Sequence, residues 1–167
     1  ALHIDSYIPS HKAFCDAIHE AGGKCGVQLW QGSLAASMDP KARILVASDL
    51  HVHGHTIPAV DVETIEEVVA CFGAAAKRAV KAGYDCVEFH CGHNYLPHSF
   101  LSPAFNHRED AYGGTFEKRC KFPLDCIRAI RQSIPRDMPL LMRLDAQDDY
   151  LENGLTIEDV IAFCRLA

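Results

Sequence analysis

The sequence predicts an α/β chain that forms part of a (β/α)8 (TIM) barrel. Three observations carry this reading. Helical and strand patterns alternate in the order αβαβαβα. The turns after helices are short while the loops after strands are long, and each strand ends in polar side chains able to do chemistry, the asymmetry of barrels whose active sites sit on the loops after strands. A complete barrel needs about 250 residues and eight strands, whereas this chain has 167 residues. It opens at Ala1 without a methionine and stops at Ala167 inside an amphipathic pattern. We therefore expect one partial barrel domain over residues 1–167, truncated at both ends. A doubly wound open sheet fits the same element order but gives no reason for all three strands to end in long polar loops.

Each element has a local signature. From Tyr7 to Ala21, Ile8, Phe14, Cys15, Ile18 and Ala21 recur at helical spacing, and Gly22-Gly23 stops the helix. Cys25 to Trp30 reads as a short buried strand. The loop from Gln31 to about Val60 holds two prolines, three histidines and a possible short strand at Ile44–Ala47. Asp61 is placed to cap a helix whose inner face is Ile65, Val68, Phe72, Ala76 and Ala79, with Gly83 ending it. Tyr84 to His90 is the second strand. A long loop leads to Thr115 and a helix to about Ser133, and Met138 to Arg143 is the third strand. Thr156 and Asp159 have the spacing of a capping box opening the last helix.

Composition narrows the function. Sixteen basic residues against 22 acidic ones give a net charge of −6, and there is no Lys/Arg block, so nucleic acid is not an expected partner. No apolar run reaches the roughly 20 residues of a membrane span, so no membrane partner is expected either. The eight cysteines are scattered without a CxxC pair. They read as free thiols, mostly small buried hydrophobes, in a reducing cytoplasm.

The strand ends supply the candidate chemistry: Gln28 and Trp30 from the first, His90 from the second with His93 and Tyr95 in its loop, and Arg143 from the third. Histidines three apart where the chain turns let two imidazoles offer N–H groups to one acceptor and polarise a carbonyl oxygen. The alternative is a pair of solvated loop histidines. Tyr95, with an ordinary pKa of about 10, is protonated at neutral pH and can serve as a proton donor. Gln28 inside a strand needs its amide satisfied, by a backbone neighbour or by a ligand edge that alternates donor and acceptor. Arg143 needs an anion, which an aspartate nearby in the sequence could supply.

The run His90-Cys-Gly-His-Asn-Tyr-Leu-Pro-His-Ser-Phe-Leu-Ser-Pro103, followed by Asn106-His-Arg-Glu-Asp-Ala-Tyr-Gly-Gly-Thr-Phe-Glu-Lys-Arg119, resembles the signature of the old yellow enzyme family. Val27-Gln-Leu-Trp30, Ala79-Val-Lys-Ala-Gly-Tyr-Asp-Cys-Val-Glu88 and Met142-Arg-Leu144 resemble further family segments in the same order. The resemblance implies about strands 3–5 of a barrel that binds FMN, uses NADH or NADPH as reductant, and reduces the C=C bond of an α,β-unsaturated carbonyl compound, an enone or enoate. It implies that Gln28 and Arg143 contact the isoalloxazine, that His90 and His93 hold the substrate oxygen, that Tyr95 protonates Cα, and that Trp30 lines the pocket. Tyr112-Gly-Gly114 and Arg119 would shape the loop. The phosphate site of FMN, and any iron–sulfur cluster or FAD, would lie outside these residues. Asn94 and Cys91 stand where the family has glycine, and Gln31 where many relatives have histidine. Asn tolerates a left-handed turn.

Two other readings compete. Asp49-Leu-His-Val-His-Gly54 resembles the metal motif of amidohydrolase barrels, with Ile44–Ala47 as its strand. The favoured reading of that segment is a polar loop, and no residue is assigned to a metal. A non-catalytic barrel remnant is the third, opposed by the exposed strand edges it would carry.

Overall fold

The structure, a computed structural model, describes residues 2–34, 43–52 and 54–167. A short 3₁₀ turn at Asp5–Tyr7 leads into α1 (Ile8–Glu20). There follow β1 (Gly26–Leu29), β2 (Leu50–Val52), β3 (His55–Ile57), α2 (Val62–Ala82), β4 (Cys86–Cys91), α3 (Leu96–Leu101), α4 (Phe116–Arg131), β5 (Leu140–Leu144) and α5 (Ile157–Leu166). β1, β4 and β5 form one parallel sheet in the order β1-β4-β5, with Gln28 opposite Glu88 and His90 opposite Arg143. Consecutive parallel strands joined through α2 and through α4 are the repeating unit of a β/α barrel.

Strand alternation divides the sheet into two unlike faces. Val87, Phe89 and Cys91 are almost fully buried together with Leu29. The Phe89 ring meets Phe72 of α2 edge-on, centroids 5.2 Å apart. α2 also packs on α4, whose Phe122, Cys126 and Ile130 are fully buried. The opposite face carries Gly26, Gln28, Leu141 and Arg143, all exposed, with Cys86 and Glu88 half-buried. One face is the core and the other is where the chemistry-bearing side chains stand.

The caps read from sequence are present. Asp61 accepts a hydrogen bond from Thr64 N at 2.7 Å, Gly83 closes α2 at φ 90°, and Thr156 and Asp159 make a reciprocal capping box. Five features differ. The strand within Cys25–Trp30 is buried on one face only: Leu29 is in the core, while Gln28 and Trp30 are exposed because their side of the sheet is the open one. In α1 only Cys15 is buried, and Phe14 is 53% exposed. Ile44–Ala47 forms no strand. Its buried carbonyls are instead met by Ser33 Oγ at Leu45, by Val60 N at Val46 and by Arg108 Nη1 at Ala47. β2 and β3 pair antiparallel apart from the main sheet. The loop after β4 contains the fully buried helix α3.

That loop is braced as expected of Tyr112-Gly-Gly114 and Arg119. Arg119 donates to the carbonyls of Leu101 and Gly114, and Asn106 Nδ2 to those of Phe100 and Tyr112. A Cβ on Gly113 would lie 2.5 Å from the Arg108 carbonyl oxygen, so only glycine fits. All eight cysteines are free thiols. Burial pushes Cys120 up to about 12 and raises Cys91 and Cys126 well above the ordinary range. Among the described residues no helix is long and apolar enough to cross a membrane.

Phe122→Ala should cost about 3–5 kcal/mol, since a fully buried ring leaves a cavity. Asp61→Ala should cost only about 1 kcal/mol through the lost cap. Urea unfolding of the two variants measures both.

Candidate active site

Each functional side chain is delivered by the C-terminal end of a strand of the parallel sheet. β4 carries the buried His90 as its last residue but one, and after Cys91 the chain turns through Gly92, His93 and Asn94 before α3. His93 and Asn94 are both left-handed, each at φ 57°. The tolerance expected of Asn94 is therefore used, and His93 shares the conformation, at a cost on the order of 1–2 kcal/mol for a residue with a side chain. Hydrogen bonds offset that cost. Tyr95 N donates to Gly92 O at 3.2 Å, His93 N to Asp145 Oδ2 at 2.6 Å, and Asn94 N to His98 Nδ1 at 3.2 Å. Tyr150 Oη donates to Asn94 Oδ1 at 3.0 Å. Gly92 must lack a side chain, because a Cβ there would lie 2.6 Å from Asp145 Oδ1.

The turn brings the predicted residues together. The Tyr95 ring lies 4.8 Å from His90, 6.1 Å from His93 and 4.8 Å from Trp30, centroid to centroid. Leu96 N donates to Gln31 O at 3.1 Å, which ties the loop after β1 to the start of α3 and keeps Trp30 beside Tyr95. Gln28 and Arg143 stand on the same open face. The Gln28 amide donates to Glu88 Oε2 rather than to backbone. Arg143 forms no ion pair among the described residues, and its Nη2 lies 3.3 Å from His93 Nε2.

These partners constrain the imidazole protons. Gly92 N donates to His90 Nδ1 at 3.1 Å, so the ring proton of neutral His90 is on Nε2. A guanidinium only donates, so where Arg143 Nη2 meets His93 Nε2 at 3.3 Å that nitrogen accepts and the proton of neutral His93 is on Nδ1; where His93 Nδ1 instead accepts from His90 Nε2 at 3.2 Å, the proton is on Nε2. A neutral ring makes one of these contacts at a time, and an acceptor atom bound between the imidazoles favours the first, in which both rings offer it an N–H. Burial first, and then the neighbouring His93 and Arg143, hold His90 below the ordinary histidine value. The neutral, donating form is thus the one that the fold favours.

Sequence reasoning missed the shell that supports this cluster. Asp145, just past β5, receives the His93 N–H, and its Oδ2 lies 3.0 Å from His98 Nδ1. His98, fully buried in α3, has its other ring nitrogen 3.0 Å from Asp148 Oδ1. Asp148 Oδ2 accepts from Ser102 Oγ and Leu155 N. A His–Asp set, with His98 and Asp148 buried and Asp145 partly exposed, ties the turn after β4 to the loop after β5. Glu88 was legible, since it lies two residues before His90 and alternation puts both on one face. Asp145 and Asp148 carried no such signal, being paired only through the tertiary fold. His51 and His55 lie exposed in β2 and β3, His51 bonded to Thr56 Oγ1, and His53 lies outside the described residues. The strand needed for the amidohydrolase motif at Ile44–Ala47 is missing from its place.

Comparison with known proteins fits this geometry. The family model described as "NADH:flavin oxidoreductase / NADH oxidase family" matches residues 1–167. The chain is 38% identical over 166 residues to an NADPH dehydrogenase of Listeria welshimeri, covering 98% of this chain and 48% of that protein. It superposes on the old yellow enzyme of Pichia sp. AKU4542 with a TM-score of 0.84 at 25% identity, covering 99% of this chain and 47% of that one. On morphinone reductase in complex with tetrahydroNAD the TM-score is 0.81 at 27% identity, with 98% and 50% covered. An α/β chain with its polar cluster at the strand ends, matched by that model from end to end, belongs to the NADH:flavin oxidoreductase family of old yellow enzyme relatives. Its fold is that of part of their TIM barrel, and the chain spans about half the length of the relatives it matches.

On acidification the unfolded chain takes up the His90 proton near the ordinary value of 6.5, and the folded chain only at lower pH. The unfolded state thus binds more protons in that window. The His90 contribution to stability should be complete above about 6.5 and be lost as pH falls from there through the depressed pKa. Imidazole ¹⁵N NMR should show His90 as the neutral Nε2–H tautomer at pH 7. An imidazolium signal at that pH would contradict the assignment.

Proposed function

We propose that residues 1–167 are about strands 3–5 of an FMN-dependent ene-reductase barrel, and that the complete protein reduces the C=C bond of an α,β-unsaturated carbonyl compound at the expense of NADH or NADPH. The observation that carries this reading is the pair of imidazole nitrogens, His90 Nε2 and His93 Nδ1, turned toward one another 3.2 Å apart with the Tyr95 phenol beside them. A carbonyl oxygen is the acceptor that such a pair lacks, and both bonds strengthen as that oxygen gains enolate charge.

The residues also fit the flavin that the family implies. Gln28 and Glu88 stand side by side on the open face, and Arg143 reaches only His93 among the described residues, with the rest of its guanidinium exposed. Gln28 would hold the pyrimidine edge, and Arg143 would set positive charge against the N1/O2 side, where a reduced flavin is negative. Bound FMN supplies hydride transfer, from the nicotinamide and on to the substrate Cβ. Tyr95 Oη gives its proton to Cα on the other side of the double bond, so that hydride and proton together saturate it, and the phenolate recovers a proton from water. Trp30 walls the pocket, its ring tilted against Tyr95. The free thiols and acidic balance suit a cytoplasmic enzyme with a small-molecule substrate.

Tyr95→Phe should leave reduction of the flavin by nicotinamide nearly unchanged and slow its reoxidation by an enone by about 10² to 10⁴-fold, the share of a general acid. His90→Ala should weaken enone binding as well as slow that step. Stopped-flow measurement of the two half-reactions in the complete protein separates these effects. Equal slowing of both halves by Tyr95→Phe would remove Tyr95 from its role.

A further inference from the structure

On the opposite edge of the sheet, at the N-terminal ends of the strands, three side chains that the reaction does not use converge. His19 is in the last turn of α1, Cys25 immediately precedes β1, and Asp85 immediately precedes β4. His19 Nε2 lies 2.8 Å from Asp85 Oδ2 and 4.0 Å from Cys25 Sγ, and all three donor atoms lie within 4.8 Å of one another. We propose that His19, Cys25 and Asp85 form a zinc site with water in the fourth position, which clamps α1 to the starts of β1 and β4.

The donor set is an imidazole, a thiol and a carboxylate, the three side-chain types that bind zinc. Bonds of about 2.0–2.3 Å hold tetrahedral donors roughly 3.3–3.8 Å apart. Parting His19 from Asp85 and drawing Cys25 inward therefore needs movements of about 1 Å. The carboxylate is already oriented. Cys25 N donates to Oδ2 at 2.9 Å, and Lys24 Nζ holds Oδ1 at 2.9 Å from a side chain that is 81% exposed. Oδ2 can bind the ion while Oδ1 keeps Lys24, the kind of outer partner that orients carboxylate ligands. Binding displaces the Cys25 thiol proton to solvent, and the proton that His19 Nε2 shares with Asp85 Oδ2 leaves as well, the neutral ring keeping its proton on Nδ1. The buried Cys15 lies one turn before His19 in α1. Loops at the N-terminal end of barrel strands serve stability rather than turnover, so the ion's role here is to lock α1.

The complete protein, stripped with a chelator and kept under a phosphine reductant, should take up one zinc ion per chain in competition with a chromophoric chelator. Co²⁺ in its place should give the near-ultraviolet thiolate charge-transfer band and the strong visible bands of tetrahedral cobalt. Cys25→Ser should abolish the charge-transfer band, and His19→Ala or Asp85→Asn should weaken zinc binding by on the order of 100-fold or more. Zinc should raise the melting temperature of the parent protein and not that of Cys25→Ser, whose own folding is checked by circular dichroism. Absence of saturable uptake would overturn the proposal. So would uptake that survives Cys25→Ser and is lost on replacing His51 and His55.

Discussion

Every part of the site hangs on the register of β4, the one strand of the sheet paired on both sides. Its alternation sends Val87, Phe89 and Cys91 into the helices and leaves Glu88 and His90 on the open face. Pairing with β1 sets Gln28 beside Glu88, and pairing with β5 sets Arg143 beside His90. A slip of one residue would turn the imidazole into the core and a phenylalanine out to the open face. The burial of Phe89 against Phe72 therefore fixes the placement of polar groups that it never touches.

Register alone aims side chains along the strand normal. The turn after β4 must bring His93 back over His90, and two successive left-handed residues do so. The strain is local, and what holds it comes from elsewhere in the chain: Asp145 after β5, His98 in α3, and Tyr150 on Asn94. Because Asp145 binds both the turn and α3, the geometry of the imidazoles depends on the loop of the neighbouring strand. Sites assembled from the ends of several strands are coupled in this way, through the loops rather than through the sheet.

Legibility in the sequence followed the range of the interactions. Capping residues, glycine stops and the apolar face of α2 act within a few positions, and Asp61, Gly83, Thr156 and Asp159 all appear in the roles that their spacing predicted. Gln28, Trp30, His90, His93, Tyr95 and Arg143 were likewise visible as polar or aromatic ends of strands, and the fold gathers them. What could not be read was set by distance along the chain. The buried stretch Leu45–Ala47 looks like a strand in composition, yet its backbone is satisfied by Ser33, Val60 and Arg108, which no local pattern announces. Phe14 suggested an inward face for α1, but in that helix only Cys15 is buried, with Ile8 packed part-buried against the core. Asp145 and Asp148 lie about 50 residues from the groups they hold.

The cysteines bear on the chemistry in a different way. α,β-Unsaturated carbonyl compounds are electrophiles, and the form of cysteine that adds to them is the thiolate. Cys91, Cys120 and Cys126 are buried and held as thiols far above neutral pH, and Cys15 is pushed up to about 11. A protein proposed to bind such electrophiles thus keeps half of its cysteines chemically silent, while Cys71 and Cys164 remain the exposed thiols. Packing chosen for cohesion doubles as immunity: the interior is chemically indifferent to the molecules that pass its mouth.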